Sequence, residues 1–172
     1  MIVEFEPTDF DELAAAQNGW DTRYRPLKRE GFNGRMISLR TNSIQIDMEQ
    51  FETPMEIAGS APTAGLSCVL PLPNSSAYSS CGEAVTPTHI DVFGSGHEVF
   101  AVTPRRTHWL CVSFFDCFFE YQNDSHLMPA LPGKNQTHAI LRSDPHALAL
   151  LRSRCLAAIS VYRQGTLGDD SG

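Results

Sequence analysis

Long apolar runs are what this sequence most plainly lacks. No stretch approaches the roughly 18 consecutive apolar residues that a membrane-crossing helix requires. The start, Met1-Ile2-Val3-Glu4-Phe5-Glu6, has neither the basic lead nor the apolar core of a secretory signal. The expected location is cytoplasmic, with no membrane partner. Positive charge is also scarce: 13 Lys and Arg stand against 20 Asp and Glu, a net charge of -7. Nucleic-acid affinity rests on clustered cations, so this chain should not bind DNA unaided. Cysteine is limited to Cys68, Cys81, Cys111, Cys117 and Cys155, an odd number with no CxxC spacing. Reduced, mostly buried thiols fit that pattern better than a disulfide frame or a zinc site. The Asn-x-Ser/Thr matches at Asn74, Asn123 and Asn135 are then coincidental.

What is present is a succession of short strands. At 172 residues the chain can bury a core without staples. Residues 89–115 read as two or three strands folded back on one another and form the expected centre of the fold. Val92 and Phe93 precede Gly94-Ser95-Gly96, and Val99, Phe100 and Val102 follow it, which is a hairpin pattern. Residues 108–115 are almost continuously apolar, as in a strand buried on both faces. Upstream, Ile44, Ile46 and Met48 alternate with Gln45, Asp47 and Glu49, predicting one face inward and one outward. Further strands are expected over 35–40, 53–62, 66–72, near Tyr78, and within 134–141. Strands thus recur about every ten residues with Gly and Pro punctuation, which favours an all-β sandwich or barrel over βαβ units.

Two helices frame these strands. Thr8 or Asp9 caps a short one over 9–16, with Glu12 closing a capping box and Asn18-Gly19 as the stop. The polar segment 21–34 reads as an extended arm with a turn. Ser143-Asp144-Pro145 opens the second helix, on which Leu148, Leu151, Cys155, Ile159 and Tyr162 fall at three- and four-residue steps, with Arg152, Arg154 and Arg163 pointing elsewhere. Leu150, Leu156 and Val161 offer a second apolar edge. Residues 123–133 read as loop, and the Gly-, Asp- and Ser-rich residues 164–172 as linker.

The order of FDELAAAQNGW, GFNGRMISLRTNSIQI, DVFGSGHEVFAVTPRRTHWLCVSF and SDPHALALLRSRCLAAI resembles the N-terminal sensor and dimerisation domain of AraC-type bacterial transcription regulators. The resemblance implies a mainly β, cupin-like jelly-roll barrel or sandwich with a short N-terminal helix and a C-terminal helix. Residues 1–142 would be the effector-sensing barrel with its helix and arm, 143–163 the dimerisation helix, and 164–172 the start of a linker. It implies a non-enzymatic homodimer that meets DNA only through a helix-turn-helix domain absent here. A small-molecule effector would shift the arrangement of that DNA-binding half.

Polar or aromatic residues on apolar strands are candidates for effector contact: Arg35, Arg40, Tyr78, His89, His97 and Trp109, each with an ordinary surface or core role as the competing reading. Arg23 and Arg25, in the arm, are weaker candidates. For dimerisation they are Leu148, Leu150, Leu151, Cys155, Leu156 and Ile159. No His-x-His pair occurs, so the transition-metal site of many cupins is not expected. His89, His97 and His108 remain the residues that would have to converge, with Glu98 turned away from His97 by strand alternation. Ser67, Cys68, Cys111 and Ser113 lack a paired His at informative spacing, and no cofactor, metal or catalytic residue is expected. The rival reading is a free-standing metal-dependent cupin enzyme, an isomerase or dioxygenase acting on a small acid or sugar.

Overall fold

The computed structural model describes residues 1–17, 19–63, 65–115 and 138–168. In chain order these form β1 (Ile2–Phe5), α1 (Phe10–Ala16), β2 (Asp21–Pro26), β3 (Gly34–Arg40), β4 (Ile44–Phe51), β5 (Met55–Ser60) and β6 (Leu66–Pro71). There follow β7 (Tyr78–Ser80), β8 (Glu83–Val85), β9 (His89–Gly94), β10 (Glu98–Thr103), β11 (Thr107–Phe114), β12 (His138–Arg142) and α2 (Pro145–Gly168). The protein is mainly β. Seven strands pair in the order β1-β3-β4-β11-β6-β9-β12, and five in the order β2-β5-β10-β7-β8, all antiparallel where registers are defined.

Two apolar layers hold this sandwich together, and the larger sheet supplies one face to each. Its inner face sends Phe51, Val69, Phe93, Trp109 and Cys111 toward Met55, Ile57, Val99 and Ala101 of the smaller sheet. Its outer face packs Ile37, Ile46, Leu70, Leu110 and Val112 under Leu148, Cys155 and Ile159 of α2. Strand β11, fourth of seven, therefore has both faces covered, which is why its sequence is apolar at nearly every position.

Several expectations change. The Gly94-Ser95-Gly96 turn does not close a hairpin. Strand β9 pairs with β6 and β12 while β10 pairs with β5 and β7, so the turn carries the chain from one sheet to the other. It is anchored instead to a neighbouring loop, Gly96 N donating to the Pro62 carbonyl at 2.9 Å and Ser95 Oγ to that of Thr63. A Gly-rich break shows that the chain reverses and says nothing about which sheet it joins. The supposed arm is corrected as well: residues 21–26 are an edge strand paired with β5. Its Thr-Arg-Tyr-Arg sequence alternates, putting Thr22 and Tyr24 inside and Arg25 outside, where it bridges Glu56 at 2.7 Å.

The helix ends follow their sequence signals. Asp9 Oδ1 accepts from the amides of Asp11 and Glu12, while Glu12 Oε2 accepts from Thr8 N at 2.7 Å. Asp144 Oδ1 caps α2 through the amides of His146 and Ala147. That helix runs to Gly168, into the segment read as linker. The loop expected over 123–133 and Cys117 lie outside the described residues.

Candidate functional site

The polar side of β4 faces inward, contrary to the expectation of a solvated face. Gln45, Asp47 and Glu49 are 1, 1 and 2 % exposed. The reason is that Ile46 and Met48, the apolar side, are taken up by the layer beneath α2, which leaves the polar side between the sheets. Buried carboxyls resist ionisation because the low-dielectric interior disfavours the charge. Asp47 is pushed up to about 6 by burial, with hydrogen bonds from Ser38 and Gln45 and the charge of Arg40 pulling back. Glu49 is pushed up to about 8 by burial and by the nearby Asp47, against the hydrogen bonds of Trp109 and Gln17. Trp109 Nε1 donates to Glu49 Oε2 at 2.9 Å and Gln17 Nε2 to Oε1 at 2.8 Å. At neutral pH Glu49 is therefore mainly a neutral acid, held at both oxygens.

A second buried acid lies on β9. Asp91 Oδ2 accepts from Tyr78 Oη at 3.0 Å, and Asp91 Oδ1 lies 2.6 Å from His138 Nε2. The bond to Asp91 raises the His138 pKa above the ordinary imidazole value, outweighing burial. His97 stacks on His138 with ring centroids 6.0 Å apart, and burial and that neighbour's charge lower its own pKa. Burial also raises the Tyr78 and Tyr24 hydroxyls well above the usual tyrosine value.

Between these acids lies a cavity of about 40 Å³. Its polar lining is Gln17, Thr22, Glu49 and Asp91, and its rings are Trp20, Tyr24, Tyr78, Phe93 and Trp109. Local structure places each of them. Gln17 is the C-cap of α1, and Gly19, with φ 93°, turns the chain so that Trp20 meets Phe93 edge to face at 5.9 Å. Strand β2 can approach because Gly59, at φ 156°, has no Cβ; one there would stand 1.9 Å from the Asp21 carbonyl oxygen. Tyr78 packs edge-on against Trp109 at 5.2 Å. The groups can recognise a small molecule by hydrogen bonding and by contact with ring faces.

Of the residues singled out in the sequence, Tyr78 and Trp109 line this cavity. His97 stands behind Phe93 at its edge, 6.3 Å between centroids. Arg35 pairs with Glu4, Arg40 lies over the Phe115 ring at 5.3 Å, and His89 accepts from Thr86 N within its own turn. Arg23 and Arg25 are exposed on β2. His89 opens β9, His97 lies beyond its far end, and His108 faces Glu52 at 3.4 Å, so these three are not brought together. Ser67 and Ser113 spend their hydroxyls on each other at 2.9 Å. The Cys68 thiol is pushed up to about 12 and that of Cys111 is also raised, chiefly by burial. On α2, Leu148, Cys155 and Ile159 face the sheet, joined by Arg152, which donates to the Pro87 carbonyl. Leu151 and Tyr162, assigned to that stripe from spacing, are 37 and 47 % exposed, and Leu150 and Leu156 are 57 and 38 % exposed. Arg152 takes the position between Leu148 and Cys155, its stem lying on apolar surface while its head reaches a carbonyl.

Sequence reasoning passed over Gln17, Trp20, Thr22, Tyr24, Glu49 and Asp91 as site residues. The available signals were two acids alternating with the apolar Ile46 and Met48 on β4 and one acid inside the apolar run of β9.

No family model matches the chain, and no curated protein matches it. Among solved structures it is similar to the AraC-like transcriptional activator CuxR, at 12% identity and a TM-score of 0.49, over 65% of this chain and 47% of that one. The match spans about half the length of that activator. Likeness of this degree assigns neither family nor function.

Proposed function

We propose that the chain is the effector-binding regulatory module of an AraC-type transcription regulator, taking a small molecule between its two sheets and performing no chemistry on it. The cavity carries this reading: two acids and the amide of Gln17 converge on a space ringed by aromatics, and the nearby serines and thiols lack the activation a nucleophile needs. The sequence resemblance supplies the regulatory context. Strand β4 links sensing to output, since Glu49 meets the cavity while Ile46, one face over, packs in the layer that holds α2. An effector that prefers one arrangement of β4 thereby biases α2. In this reading α2 pairs with its copy in a homodimer through Leu150 and Leu156, and DNA is contacted by a domain beyond residue 172.

Both tryptophans of the chain line the cavity, so intrinsic fluorescence reports its occupancy. A library of small metabolites screened by thermal shift should yield ligands that raise the melting temperature and change that emission together, without being consumed. Turnover of a bound compound would overturn the regulatory reading.

A further inference from the structure

The cavity has a one-sided charge. Among the described residues its lining holds the acids Glu49 and Asp91 and no Lys, Arg or His. Asp91 is satisfied from behind by Tyr78 and His138, whereas Glu49 has only neutral donors, Gln17 and Trp109. An anion entering would meet two acids and no cation, at a large desolvation cost. A cation would find a carboxyl able to ionise beside it and aromatic rings on several sides, groups that attract ammonium ions. Size narrows the choice further, since about 40 Å³ is room for about three water-sized groups at ~10–15 Å³ each.

We propose, building on the effector-binding reading above, that the cavity takes a small primary ammonium ion of one or two carbons, its charge set against Glu49 and its carbon atoms against the rings of Trp20, Tyr24 and Trp109. Binding ionises Glu49, so each ion that enters releases a proton. Other groups face Glu49 from each neighbouring element. Asp47 on the same strand is mostly ionised above about pH 6. Tyr24 on β2 and Cys111 on β11 are raised well above their ordinary values and stay neutral. Asp91 lies on β9 with His138 behind it, and loss of the His138 charge as pH rises favours a cation in the same direction.

Titration calorimetry with ethylammonium chloride, with ethanol and acetate as neutral and anionic comparisons, tests this on the 172-residue chain. Ethylammonium should bind and the comparisons should not. Its apparent affinity should rise about tenfold per pH unit well below pH 8 and level off above it, because ionised Glu49 is the binding form. Titrations in two buffers of different ionisation enthalpy should show close to one proton released per ion at pH 7. Glu49→Gln, which preserves size, should weaken binding at least tenfold at pH 8.5 and abolish proton release. Trp109→Phe, which removes the indole donor, should weaken binding while keeping proton release. Binding of a neutral or anionic compound in the cavity while ethylammonium stays silent would overturn the cation and leave the effector reading standing. Silence from ethylammonium and from the metabolite library alike, with tryptophan emission unchanged throughout, would overturn both.

Discussion

Glu49 shows how a single side chain can set a property of the whole domain. Its pKa lies near 4.5 in an unfolded chain and about 8 in the folded one. The folded state therefore holds a proton that the unfolded state gives up, and stability falls as pH rises between those two values. The slope approaches about 1.4 kcal/mol per pH unit for one fully buried group. Asp47 adds to the fall between 3.8 and about 6, and His138 works in the same direction as its charge is lost. Urea denaturation should show lower stability at pH 8 than at pH 6, and Glu49→Gln should flatten much of that difference. A wild-type domain equally stable at both values would mean Glu49 is ionised in the folded state. This residue was named in the sequence only as part of a polar face. Its burial was hidden because alternation reports two faces but not which is wet. Only the apolar stripe of α2, a hundred residues later, decides that β4 has no wet face.

At the scale of elements, α2 separates two kinds of leucine. Leu148 is 1 % exposed against the large sheet, so Leu148→Ala should cost roughly 2–5 kcal/mol and lower the melting temperature. Leu150 and Leu156 face outward, and Leu150→Glu or Leu156→Glu should leave circular dichroism nearly unchanged. If α2 meets its copy about a two-fold axis, each charge acts twice. Enclosing a leucine is worth roughly 1.5–3 kcal/mol, so a micromolar dimer should become a monomer in sedimentation. A dimer indifferent to both changes would remove α2 from assembly. The helix caps were legible in the sequence because their signals are local: Asp9 and Asp144 each satisfy amides within a few residues. The partners of β9 and β10 were not, because two strands joined by a short turn usually lie side by side and here cross between sheets instead. Strand β2 was missed for another reason: its other positions are Asp21, Arg23, Arg25 and Pro26, three of them charged, and only Thr22 and Tyr24 look inward.

The whole molecule carries a surplus of seven negative charges, and no helix among the described residues is long and apolar enough to cross a membrane. Residues 1–172 should show no specific DNA affinity at moderate salt, and a fluorescence titration would detect any exception. The domain should also purify without stoichiometric transition metal, since His89, His97 and His108 are held apart by separate partners. Elemental analysis finding one iron, manganese or zinc per chain would favour the enzyme reading. Fold class was readable from strand spacing alone, whereas the cavity needed both sheets in place. It is assembled from the C-cap of α1 and from β2, β4, β5, β6, β7, β9, β10 and β11, and no contiguous stretch contains more than a fraction of it.

Strand β4 is locked on both edges, register by register, with β3 along one side and β11 along the other. Side chains alternate, so adding or deleting one residue in the 41–43 turn would not merely disturb a loop. It would exchange the strand's two chemistries, setting isoleucines against the aromatic rings and acids against the underside of α2. For this domain a one-residue change in the length of the 41–43 turn is therefore a change to both layers of the core.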